Sequence, residues 1–216
     1  MQTLTEKLIE EGLKDRIFSE RQLERSLGSS PRSRYGLVNR ALKAGELVRI
    51  RRGLYVLPPR FRSHAVHPFG VAQAIAPGSY VSFETALSHH GWIPESVQVT
   101  ASVIPGRKSM ELEHPLLGSF AFHPLALNAL HFLELVERRQ FASQTTLVAQ
   151  PFRALMDLIA LRKIEWTGLE WLVESLRIDL PNLRSVSRSD IQILLRVYKH
   201  RRVLTFLAQF ARAVRR

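Results

Sequence analysis

Apolar positions in the first third of the chain follow three successive helical patterns and then an alternating one. Leu4, Leu8, Ile9 and Leu13 recur at helical spacing, with Thr3 or Thr5 placed to cap the start. Ser19 stands before Glu20, and Leu23 and Leu27 share a face that ends at Gly28, which predicts a second helix. A third begins at Ser30-Pro31, where proline suits the first helical position, and stops near Gly45. The runs Leu47–Ile50 and Leu54–Leu57 then flank Arg51, Arg52 and Gly53, and Pro58-Pro59 closes a tight hairpin.

Three short helices followed by a hairpin is the order of a winged helix-turn-helix, whose second motif helix enters the major groove. The third helix has a phase that fits this role. At 100° per residue, Tyr35, Leu37, Val38, Ala41, Leu42 and Ala44 fall on one broad arc, and Arg32, Gly36, Asn39, Arg40 and Lys43 fall opposite. Arg34 lies on the apolar arc, but in the first turn, where its side chain can reach past the core toward a phosphate. In such a fold the hairpin lies beside the recognition helix, which places Arg49, Arg51 and Arg52 to meet the flanking backbone or a narrow minor groove. The candidate DNA-binding set is Ser29, Ser30, Arg32, Ser33, Arg34, Tyr35, Asn39, Arg40, Lys43, Arg49, Arg51 and Arg52.

Beyond Pro59 the pattern changes. Residues 59–68, PRFRSHAVHP, show little periodicity and read as a linker. GSYVS, VQVTASVI, SMELE, SFAFHPL and TTLVA are strand-like, FETALSHHG is a short helix, and HFLELVERR suits either. From Pro151 the chain turns helical and remains so to its end. The expected fold class is therefore α+β: an N-terminal winged helix-turn-helix over 1–58, the linker 59–68, and an α+β domain over 69–216 with a C-terminal helical segment.

Charge sharpens this picture. The 216 residues carry a net charge of +12, which suggests a polyanionic partner. Residues 32–62 hold nine cations against the single acid Glu46, and from Ile191 onward there are seven cations and no acid. Arg201, Arg202, Arg212, Arg215 and Arg216 bracket an amphipathic last helix and form a candidate second basic patch. The same cations are also placed to stabilise that helix's negative dipole end.

Catalytic chemistry finds little support. With no cysteine there is no thiol nucleophile, thiolate zinc site or disulfide, which fits a cytoplasmic protein. The eight histidines show no ligand spacing, no phosphate-binding glycine motif is present, and no lysine follows an acid by two positions. Catalytic residues, metal ligands and cofactors are all expected to be none. No apolar run approaches the roughly 20 residues of a membrane span, and the start has no apolar signal-peptide core.

YVSFETALSHHGWIPE (80–95), VTASVIPGRK (99–108), GSFAFHPL (118–125) and LVAQPFRALMDLI (147–159) occur in an order that resembles the C-terminal domain of the AbiEi family of abortive-infection antitoxins. With the preceding winged helix, the resemblance spans about residues 5–165. Trp92 and Phe152 depart from the residues usual there. The resemblance implies a non-enzymatic repressor that binds inverted repeats in its own promoter and is encoded beside a nucleotidyltransferase toxin, contacted directly or not. The alternatives are a stand-alone regulator without a toxin, and a DNA-processing enzyme delivered by a basic module.

Overall fold

The computed structural model describes residues 3–28 and 30–214. It is mixed α+β, with 45% helix and 20% strand. Two compact units divide it: residues 1–77 with 114–117 and 140–146, and residues 78–113 with 118–139 and 147–216.

The first unit opens with α1 (Leu4–Glu10), β1 (Phe18–Ser19), α2 (Glu20–Leu27), α3 (Pro31–Lys43), β2 (Val48–Arg51) and β3 (Leu54–Val56), and later adds α4 (Pro68–Ile75). Local chemistry sets the helix starts. Thr3 and Glu6 form a reciprocal capping box on α1, as Ser19 and Gln22 do on α2, each pair satisfying two otherwise unpaired N–H groups. α1 is shorter than the leucine pattern suggests. It stops before Gly12, at φ +71°, and Leu13 returns to the core through its N–H bond to the Leu8 carbonyl. The antiparallel sheet has the order β1-β3-β2, with Phe18 opposite Tyr55 and Val48 opposite Val56. Leu4, Leu8, Leu13, Phe18, Leu23, Val38, Ala41, Leu47, Tyr55 and Leu57 form one buried cluster.

The expected linker is tied to this unit. Arg60 donates to the Gly45 carbonyl at 2.7 Å, and Phe61 packs against the core cluster. The Ser63 and His64 N–H groups donate to the Asp15 carboxylate at 2.6 and 3.2 Å. What burial Asp15 has pushes its carboxyl up, but these two donors hold it below its ordinary range.

A six-stranded sheet, most of whose residues belong to the second unit, has the order β6-β7-β5-β4-β9-β8 and is formed from β4 (Tyr80–Val81), β5 (Val99–Ile104), β6 (Met110–His114), β7 (Gly118–Pro124), β8 (Val136–Phe141) and β9 (Gln144–Ala149). β4 runs antiparallel to β5 and parallel to β9, and β5 runs parallel to β7. The helices are α5 (Phe83–His89), α6 (Pro151–Arg162), α7 (Leu169–Ser175), α8 (Leu180–Arg184), α9 (Arg188–Val197) and α10 (Arg201–Ala213). Residues 152–159 of α6 are buried on every face, and α6 packs against α5. Tyr80, Val81, Ala86, Leu87, Ala154, Leu155 and Leu158, which have core spacing in the sequence, are at most 2% exposed.

A charged network lies inside that apolar interior. Asp157 and Arg153, one helical turn apart, pair at 3.0 Å with both side chains fully buried. Asp157 also accepts from the hydroxyls of Tyr80 (3.0 Å), Ser82 (2.7 Å) and Tyr198 (2.7 Å). Arg153 donates to the carbonyls of Glu134 and Phe132, so every branch of the pair has a partner. Burial first, and then the Asp157 carboxylate, push the Tyr80 and Tyr198 phenols well above their ordinary value, which keeps them neutral donors.

Candidate nucleic-acid interface

α3 supplies most of the residues picked out by charge. Its start is built by Ser30, whose hydroxyl accepts from the Ser33 N–H at 3.3 Å, and by Pro31 in the first turn. The first turn contains no acid, so its remaining N–H groups present positive potential. The inward line of α3 is Arg34, Val38 and Ala41, at i, i+4 and i+7. Arg32, Ser33, Tyr35, Arg40 and Lys43 are exposed, and Gly36 and Asn39 are half-buried. No acid interrupts this row.

Two placements differ from those expected. Arg34 does not reach outward: it is 8% exposed, and its guanidinium pairs with Glu24 at 3.2 Å. The Arg34 stem lines the core side, as its place on the apolar arc implies, and its charge is neutralised by α2 instead of remaining available. Tyr35, expected on the apolar arc, is 72% exposed: it lies at the edge of that arc, about 100° round from the buried Arg34. Ser29, Arg215 and Arg216 lie outside the described residues.

The β2–β3 hairpin carries Arg49, Arg51 and Arg52 on its exposed positions while Ile50 turns into the core. A bulge makes this possible. Arg49 opposes Tyr55 and Arg51 opposes Leu54, so Ile50 is the extra residue and the strand twists locally. Gly53 closes the turn at φ +76°, a conformation that disfavours any residue with a side chain.

One acid that charge counting missed stands beside this tip. The Glu20 N–H donates to the Gly53 carbonyl at 2.9 Å, and its carboxylate lies 3.5 Å from where a Cβ on Gly53 would be. Burial first, then Glu20, push the Tyr55 phenol up, against the opposing pull of Arg49 and Arg52. Tyr55 thus feels the charges of all three residues. Glu20 appears in the sequence only as an ordinary first-turn acid, and the pairing of β1 with β3 is what brings it to the hairpin.

Elsewhere the polar groups have local roles. His90 bonds the Ala149 carbonyl at 3.0 Å, and burial pushes the imidazole below its ordinary value. Among the described residues no cluster of three or more His, Asp or Glu side chains is arranged to hold a metal ion. No helix among them is long and apolar enough to cross a membrane. Of the candidate second patch, Arg201 and Arg212 are exposed and Arg202 is half-buried, all on α10.

Comparison with curated proteins finds no match. Residues 7–58, which take in the end of α1, α2, α3 and the bulged hairpin, match the family of AbiEi antitoxin transcriptional regulators.

Proposed function

We propose that the first unit is a winged helix-turn-helix that binds double-stranded DNA, and that the chain is a transcriptional repressor acting as an antitoxin. In this reading α3 enters the major groove and the β2–β3 hairpin is the wing. Ser30, Arg32, Ser33, Arg40, Lys43, Arg49, Arg51 and Arg52 meet phosphates, while Tyr35 and Asn39 face base edges together with the outer part of Arg40. The observation that carries the reading is the combination of an acid-free exposed face on α3 with an arginine-tipped hairpin, in the strand order β1-β3-β2. Arg34 is left out of the contact set because its charge is paired internally. The family match supports regulation, and autoregulation through inverted repeats beside a toxin gene extends it.

Footprinting the purified protein on the DNA upstream of its own gene tests this. A protected pair of half-sites is the expected result, and protection that does not discriminate sequence refutes the repressor. If the neighbouring gene encodes no toxin, the stand-alone regulator replaces the antitoxin.

Two substitutions separate base reading from charge. Asn39→Ala or Arg40→Ala is expected to relax base preference, at a cost of about 1–3 kcal/mol at the contacted pair, with little change on random DNA. Competition binding against single-base operator variants measures it. Glu20→Gln removes the carboxylate beside the wing and is expected to tighten binding to any duplex about two- to fivefold at low salt, with the gain fading as salt rises. Unchanged or weaker binding would place Glu20 away from the DNA.

A further inference from the structure

The last helix poses a problem that a docked amphipathic helix does not explain. Val203, Phe206, Leu207 and Phe210 bury its apolar face, yet Arg201 and Arg202 open it. Cations there face the positive end of the helix dipole, an unfavourable position. No side chain caps this N-terminus. The Arg202 Nε is buried and has no hydrogen-bond partner, and such a donor is costly to leave unpaired. Among the described residues, Arg201, Arg202 and Arg212 form no ion pair.

These donors line a groove. One part, of about 440 Å³, is walled by Trp166, Arg201, Arg202, Thr205 and Gln209, with Glu165 also present. A second part, of about 470 Å³, is walled by Trp166, Gln209, Gly168, Glu170 and Arg212. The shared Trp166 and Gln209 make the two parts continuous. Trp166 is held edge-on by Phe206 (5.0 Å, 84°) and Phe210 (6.3 Å, 89°), so its plane is fixed before any ligand arrives. It is half-buried and keeps surface toward the groove.

We infer that this groove is a binding site for a free nucleotide. The phosphates take Arg201 and Arg202, which supplies the acceptor that Arg202 lacks. The base lies against Trp166, and the Gln209 amide faces its edge. The combined space is of the size that small-molecule sites occupy. Glu165 and Glu170 decide between ligands: three arginines against two carboxylates favour one compact anionic end on a polar, neutral body. A continuous polyanion would bring further phosphates against those acids. Thr205 and the two carboxylates are left to meet sugar hydroxyls and exocyclic amino groups.

Titration calorimetry of the full chain with ATP, GTP, CTP and UTP, and separately with pyrophosphate, adenosine and a single-stranded oligonucleotide, tests the assignment. At least one triphosphate is expected to bind with a dissociation constant below about 1 mM, and pyrophosphate and adenosine about tenfold or more weakly. Arg201→Ala, an exposed position whose loss leaves the core intact, and Arg202→Ala are each expected to weaken binding about tenfold. Trp166→Leu should do the same, while Arg51→Ala with Arg52→Ala leaves it unchanged. No binding at about 5 mM overturns the inference. So do pyrophosphate binding as tightly as the triphosphates, binding by the oligonucleotide alone, or an Arg201→Ala protein that binds as before.

Discussion

Asp157→Asn is expected to lower the stability of the protein by about 3–5 kcal/mol, because it leaves the Arg153 guanidinium charged and unpaired in a dry interior. Burial by itself would lower the Arg153 pKa, but Asp157, followed by the two tyrosines, raises it above its ordinary value, so the arginine does not escape by losing its proton. The asparagine keeps the shape and one acceptor oxygen, and removes the charge that several donors address. For a chain of this size the melting temperature should fall by roughly 6–20 °C. Tyr198→Phe deletes a single charged-acceptor hydrogen bond, and the expected cost is smaller, about 1.5–3 kcal/mol. Urea or thermal melts followed by circular dichroism measure both. If Asp157→Asn melted within about 2 °C of the parent, the network would not be holding α6 to Tyr80 and Tyr198.

Arg51→Ala with Arg52→Ala is the substitution of largest expected effect on DNA. Both side chains are exposed at the hairpin tip, so the fold loses nothing by their removal. Two phosphate contacts release roughly two counterions, and the slope of log affinity against log salt should become shallower by up to about 2 units. Operator and random DNA should weaken alike, since phosphate contacts carry no sequence information. Fluorescence anisotropy at several salt concentrations reads the slope. An unchanged slope would sink the wing assignment, and a loss confined to operator DNA would mean that these arginines read bases.

Much of the first unit was legible because its signals are short-range. Ser19, Gly28, Ser30-Pro31 and Gly53 each act within a few residues of themselves, through capping hydrogen bonds or positive φ, so position in the chain suffices to place them. α4 was not legible: PFGVAQAI is apolar and small on nearly all sides and is mostly buried, so it shows no amphipathic stripe. β1 was not legible either, since Phe18–Ser19 is too short for any period. In α3 the phase places Arg34 on the apolar side, but it does not show that Glu24 holds the guanidinium there or that Tyr35, at the edge of the arc, turns to solvent.

By itself, then, the order of residues determined the starts of α2 and α3, the hairpin turn, and where positive charge accumulates, because caps, turns and charge counts are local quantities. Only the tertiary structure decided which charges are spent internally and which remain available. Arg34 meets Glu24, Glu20 meets the hairpin turn, and Arg153 and Asp157 meet tyrosines 73 and 41 residues away. Each of those encounters depends on packing between distant segments, where burial lowers the effective dielectric and makes the identity of the neighbour decisive.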